Sequence, residues 1–117
     1  MLRIVLGAKL HKARVTSRSV EYEGSLEVDQ DLLDKVDMIP GERIDVYNIT
    51  NGARFSTYLL SGERGKRVVS VKGAAARLCE VGDEVIIAAY RMVDETEVRT
   101  FKPRTAILDE RNEPVSS

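Results

Sequence analysis

From Val20 to Val28 the chain alternates, with Val20, Tyr22, Gly24, Leu26 and Val28 on one face and Glu21, Glu23, Ser25 and Glu27 on the other. A period of two predicts a half-buried strand. Its midpoint is Gly24, a residue that weakens strand interiors and marks a bulge or a close backbone approach. Asp29 then caps a short helix carrying Leu32, Leu33 and Val36, which Pro40 and Gly41 end with a turn. Short β-branched runs follow: ERIDVYNI, RFSTYLL, RVVSV and EVIIAAY. They are separated by Asn51-Gly52, by Gly62 to Gly65 and by Gly82-Asp83, all turn formers, and the second of these reads as a plain hairpin turn. Only AAARLC, after Gly73, has helical character. Many short strands with one or two brief helices predict an all-β, mainly strand domain closed into a small barrel, because closure removes exposed edges. The domain is expected over residues 1–108, and the polar segment 109–117 is expected to be a mobile tail.

At 117 residues the chain has room for one domain with its own core, and folding at this size needs neither a disulfide nor a metal. The single His11 and the single Cys79 exclude an internal disulfide and a zinc finger, and leave any Ser/His/Asp machinery with one base. The longest apolar stretch, Val85 to Tyr90, is far short of the ~18 residues that span a bilayer, and MLRIVLGAKLHKAR lacks a signal-peptide core. A cytoplasmic location with no membrane partner is expected. Lys plus Arg number 18 against 19 for Asp plus Glu, a net charge of −1 that argues against nucleic acid as a partner. The charges are nonetheless segregated. Residues 1–18 hold Arg3, Lys9, Lys12, Arg14 and Arg18 with no acid, and residues 19–34 hold six acids with no base. Two solvated strands that neutralise each other account for this more simply than a nucleic-acid arm.

Several motifs fail on chemistry. Gly62-Glu63-Arg64-Gly65-Lys66 is too short for a phosphate loop and has Arg67 where a magnesium-binding hydroxyl belongs. The same Gly62 to Gly65 fits a KH-type GxxG clamp, but the flanking helices are missing. Asp29-Gln30-Asp31 lacks the loop glycine of a calcium site, and no other cluster has metal spacing, so no metal is expected. His11, between Lys9 and Lys12, is a candidate base whose simpler role is packing.

Four segments remain: Lys9-Leu10-His11, Tyr22-Glu23-Gly24-Ser25, Asn51 through Tyr58 (NGARFSTY), and Gly73-Ala74-Ala75-Ala76. Each is weak alone. In this order and spacing, from GAKLHKARVT through EVIIAAY, the chain resembles the pyruvoyl-dependent L-aspartate alpha-decarboxylases. That resemblance implies a double-psi β-barrel, a homotetramer with active sites between subunits, and a precursor that cuts itself between Gly24 and Ser25 into 1–24 and 25–117. Ser25 would become the pyruvoyl group, with no pyridoxal phosphate, and a maturation factor is a further candidate partner. Decarboxylation of an α-amino acid needs such an electron sink. The resemblance gives Thr57 the task of polarising the Gly24 carbonyl during self-cleavage and makes Tyr58 the proton donor at Cα. Lys9, Arg54, Thr57 and the backbone of Gly73, Ala74 and Ala75 would hold L-aspartate. His11, Tyr22 and Lys72 are additional candidates. The product would be β-alanine, for pantothenate and coenzyme A synthesis.

One position departs from the family pattern. Lys72 stands where members of the resembled family mostly carry Asn, exchanging an amide that donates and accepts for a donor-only cation. It either supplies an equivalent hydrogen bond or, if desolvated, competes with substrate for the ketone. Two other readings stay open: a barrel with processing impaired by Lys72, and a swapped-hairpin DNA-binding regulator suggested by DMIPGERIDVY, which would need a basic surface.

Overall fold

The computed structural model describes residues 1–116. Its elements in chain order are β1 (Leu2–Arg14), β2 (Ser17–Ser19), β3 (Ser25–Asp29), α1 (Gln30–Val36), β4 (Arg43–Asn48), β5 (Arg54–Gly62), β6 (Val69–Lys72), a 3₁₀ helix (Gly73–Leu78), β7 (Glu84–Asp94), β8 (Arg104–Leu108) and β9 (Pro114–Ser116). The strands hydrogen-bond in the order β2-β6-β3-β5-β4-β7-β1-β8-β9. Three of these neighbours are parallel: β1 with β8, β2 with β6 and β3 with β5. Inward residues of every strand from β3 to β8, together with Leu10 and Ala13 of β1 and Leu32, Leu33 and Val36 of α1, form one apolar cluster. The helix touches β1, β3, β5 and β8, so it lies across strands from both halves of the sheet.

The alternation from Val20 to Val28 does not become one strand. Residues 20–23 form a turn and a bend between β2 and β3, because Gly24 and Ser25 both take positive φ and leave the extended region. The loop at Gly62 to Gly65 is likewise not a hairpin turn. β5 and β6 lie on opposite sides of β3, so this loop crosses over β3. Of AAARLC, Ala74 to Leu78 wind with Gly73 as a 3₁₀ helix that has no N-terminal side-chain cap, and Cys79 is already extended. The basic and acidic halves of the N-terminal third do not neutralise each other either. Arg3, Arg14 and Arg18 pair with Glu95, Glu84 and Glu80, while Asp31 and Asp34 pair with Arg64.

The segment expected to be a mobile tail is packed through residue 116. β9 pairs with β8, and the buried Asn112 accepts from the Arg14 N–H at 2.7 Å and donates to the carbonyls of Arg14 and Arg67. Satisfying these backbone groups is what holds the segment down. Ser117 lies outside the described residues.

Asp29 fixes the far end of β3. Fully buried, its carboxylate accepts from the backbone N–H groups of Asp31 (2.8 Å), Gly65 (3.2 Å) and Arg67 (2.6 Å), capping α1 and gathering in the crossover loop. Burial pushes its carboxyl up, but the N–H groups of Arg67, Asp31 and Gly65 and the Arg67 guanidinium outweigh that and hold it below the usual carboxylate range. A depressed pKa contributes stability that is present above the unfolded value of about 3.9 and is lost as pH falls through the folded value. Asp29→Ala, which strands three donors, should cost about 3 kcal/mol in urea unfolding at neutral pH. It should also flatten the loss of stability below about pH 4 relative to the unaltered chain.

Candidate active site

Gly24 (φ +117°) and Ser25 (φ +138°) are consecutive residues with positive φ. Glycine adopts such a conformation freely, whereas a residue with a Cβ is strained there by about 1–3 kcal/mol. The neighbours hold it. Ser25 pairs with Lys72 on β6, and the next residue, Leu26, pairs with Leu59 on β5. Gly73 (φ +76°) lies directly against Gly24: a Cβ on Gly73 would stand 2.4 Å from the Gly24 Cα, 2.5 Å from its N and 2.9 Å from the Tyr22 carbonyl oxygen. Only a glycine fits that place. Ser25 is 0% exposed, and its Oγ has no hydrogen-bond partner. An unpaired buried hydroxyl costs about 1–3 kcal/mol. Strain and an unmade bond thus fall on the same residue. A serine Oγ can close a five-membered ring onto the carbonyl carbon of the residue before it, so the arrangement offers a nucleophile already covalently tethered to its target.

Strand β5 runs past this peptide. Leu59 sits opposite Leu26, so the β5 residues just before it, Tyr58 and Thr57, flank the start of β3 at Ser25. Thr57 is half-buried, and Tyr58 is 42% exposed. On the other side, the Lys72 side chain is only 14% exposed. Its Nζ lies 3.4 Å from Glu27 Oε1 and 4.1 Å from the centre of the Tyr22 ring. Gly24, Ser25, Thr57, Tyr58, Lys72, Gly73 and Tyr22 are therefore gathered by three adjacent strands and the turn before β3. Ala74 is exposed, and Ala75 packs against the core from the first turn of the 3₁₀ helix.

The remaining candidates lie elsewhere in the chain. Arg54, four residues before Tyr58, stacks over the Tyr47 ring at 4.5 Å, as the β4–β5 register (Tyr47 opposite Arg54) allows. Tyr47 and Tyr90 share a hydrogen bond of 2.8 Å between hydroxyls. That bond, followed by burial and the nearness of Tyr90 and Asp45, pushes Tyr47 up to about 12. Lys9 pairs with Ala88 of β7 and Thr105 of β8, four strand steps round the sheet from Ser25. His11 is half-buried with an unpartnered Nδ1. Burial first, then the charges of Lys9 and Lys12, lowers its pKa. Three residues near these candidates escaped sequence reasoning. Glu27 was legible as the residue two beyond Ser25 on the same strand face, and Tyr47 as the hairpin partner of Arg54 across Asn51-Gly52. Tyr90 carried no local signal.

Among the described residues no three His, Cys, Asp or Glu side chains gather as metal ligands do, and no helix is long and apolar enough to cross a membrane. The rationally designed mkDPBB_sym_86 protein, a double-psi β-barrel, superposes with a TM-score of 0.50 over 66% of this chain and 90% of its own, at 14% identity. The fold is thus the double-psi β-barrel. The chain is 52% identical over 113 residues to the aspartate 1-decarboxylase of Bacillus licheniformis, covering 97% of this chain and 89% of that one. It is 54% identical over 112 residues to that of Tolumonas auensis, covering 96% and 89%. With that of Thermoanaerobacter pseudethanolicus it shares 44% over 116 residues, 99% of each chain. The family model for aspartate decarboxylase matches residues 1–115, including the DMIPGERIDVY segment that had suggested a DNA-binding regulator. The chain belongs to the aspartate decarboxylase family.

Proposed function

We propose that this protein cuts its own backbone between Gly24 and Ser25 and uses the resulting pyruvoyl group to convert L-aspartate to β-alanine and carbon dioxide, a step that feeds pantothenate and coenzyme A synthesis. The observation that carries this reading is the fully buried, unpartnered Ser25 Oγ at a strained φ beside Gly24. The residues present fit the group: a buried hydroxyl with no competing partner is free to attack, and Gly24 tolerates the distortion that makes a planar amide reactive.

Attack of Ser25 Oγ on the Gly24 carbonyl carbon forms a C–O bond. The C–N bond then breaks as the hydroxyl proton passes to nitrogen, leaving an ester and a free amine on residue 25. Loss of the Cα proton expels Gly24 as a carboxylate, and water replaces the nitrogen, releasing ammonia and leaving a ketone at position 25. We assign stabilisation of the developing oxyanion at Gly24 to the Thr57 hydroxyl on the neighbouring strand. When formed, the pyruvoyl group supplies the electron sink for the carbanion left at Cα as carbon dioxide departs. Tyr58 holds a proton for Cα, since its strand position sets it beside residue 25 with its side chain open to an incoming ligand.

Aspartate carries two carboxylates and is best held by cations at a fixed separation. Arg54 offers a planar fork and Lys9 a point charge. The backbone of Gly73 to Ala75 permits close approach. Because Lys9 and Ser25 are four strands apart, we assign the complete site to the boundary between copies in a cytoplasmic homotetramer. Exposed apolar side chains support such a boundary: Ile4 (70%) and Met92 (67%) flank a hollow of about 290 Å³ that Tyr90, Arg43 and Asp45 also line.

Denaturing mass spectrometry on the purified protein should find fragments 1–24 and 25–117, the larger with a carbonyl-reactive terminus; an intact chain with serine at position 25 would refute self-processing. Thr57→Val should stay uncut under the same conditions. Tyr58→Phe should still cut and bind aspartate with KM little changed, while kcat falls about 100-fold in a carbon dioxide release assay.

A further inference from the structure

Lys72 is engaged in the uncut chain. Its Nζ stands between Glu27 Oε1 at 3.4 Å and the Tyr22 ring centre at 4.1 Å, with the stem largely buried. These two partners belong to opposite sides of the Gly24–Ser25 bond: Glu27 sits on β3 just after it, and Tyr22 in the turn just before it. Lys72 is itself the residue paired with Ser25. The turn needs such an anchor. Among the described residues, no turn or loop hydrogen bond is made by the backbone of residues 20–24, and Tyr22 is 60% exposed. Packing of Val20 on the core and the Gly73–Gly24 contact are its other restraints. A cation over an aromatic ring, partly shielded from water and also paired with a carboxylate, is a stronger tie than either contact alone.

We infer that Lys72 is a positioning residue for the backbone cut. Its ammonium clasps Tyr22 upstream and Glu27 downstream, and so holds the Gly24–Ser25 peptide in its reactive conformation. The inference rests on the self-processing reading and deepens it. A neutral amide at position 72 could make neither the ion pair with Glu27 nor the cation–π contact with Tyr22, so this clasp is a property of lysine here. Held by two partners, the amine is not free to react with the ketone that cleavage makes.

The test follows conversion of freshly purified precursor to fragments 1–24 and 25–117 by denaturing mass spectrometry. Lys72→Met, which keeps the stem and removes the charge, should slow the cut about tenfold. Lys72→Arg, which can still stack on the ring and reach Glu27, should restore most of the rate. Glu27→Gln should slow the cut, and adding it to Lys72→Met should slow it no further, because the clasp is already open. Lys66→Met, which removes an equally simple but exposed pair with Glu63, should cut at the unaltered rate. Urea unfolding of each variant, measured in a Ser25→Ala background, separates cutting from stability. If Lys72→Met fails to fold, Tyr22→Leu and Glu27→Gln carry the same comparison. An unaltered chain that never cuts overturns self-processing and this role with it. If that chain cuts and Lys72→Met keeps pace, or Lys72→Arg gives no rescue, only the role of Lys72 falls.

Discussion

The contact of Gly73 with Gly24 is the constraint from which the rest of the site follows. Two backbones approach so closely there that a single methyl group on Gly73 would overlap both the Cα and the N of Gly24. Where the chain leaving β6 comes this near, Ser25 is buried, and its hydroxyl is shut away from water without being given a partner. Gly24 and Gly73 take positive φ freely, so the cost of bringing the two segments together falls on Ser25, next to one peptide bond.

Such strain persists only where the surroundings over-determine it, and β3 is fixed along its length. It lies between β5 and β6, so both of its edges are hydrogen-bonded. At its far end Asp29 gathers three backbone N–H groups, from α1 and from the crossover loop, around one buried carboxylate. Leu26 and Val28 contribute its inner face to the core. A strand pinned in this way cannot slide to relieve Ser25. The same placement explains why the loop at Gly62 to Gly65 has to cross over: a hairpin there would make β5 and β6 neighbours and leave no place between them for β3.

Local chemistry was legible in the sequence, and long-range placement was not. Asp29 caps α1 as its position before Leu32 and Leu33 implied, and Asn51-Gly52 turns β4 into β5. Gly24 stood out as a disturbance in an alternating run. Periodicity could not show, however, that the run breaks there, because the turn and bend at residues 20–23 carry the same alternation as the β3 that follows them. Nor could it show which strand lies beside which. Parallel pairs such as β3 with β5 leave no mark in local sequence, since their partners are 33 residues apart (Leu26 with Leu59). The charge blocks misled for the same reason: Arg3, Arg14 and Arg18 found partners in the last third of the chain. Asn112 sat in a polar stretch that looked solvated, yet its amide closes the hydrogen bonding of Arg14 and Arg67. The NGARFSTY segment and Gly73 were recognisable only through resemblance, because neither a tyrosine on a strand nor a glycine before three alanines signals chemistry alone.

On the self-processing reading, a cut at Gly24 does not divide the domain into two bodies. The fragment 1–24 contains β1, which lies between β7 and β8 and is hydrogen-bonded to both, and which places Ala8, Leu10 and Ala13 in the core. Removing it would open the sheet and expose that core, so the short fragment stays bound without any covalent link. The new ends lie where Ser25 was strained, and breaking its bond to Gly24 frees it from the φ value that the intact chain imposes. The strain therefore has a direction. It destabilises the uncut chain relative to the cut one while leaving the sheet that binds the two pieces untouched, and a fold arranged in this way favours its own processing without depending on it for stability.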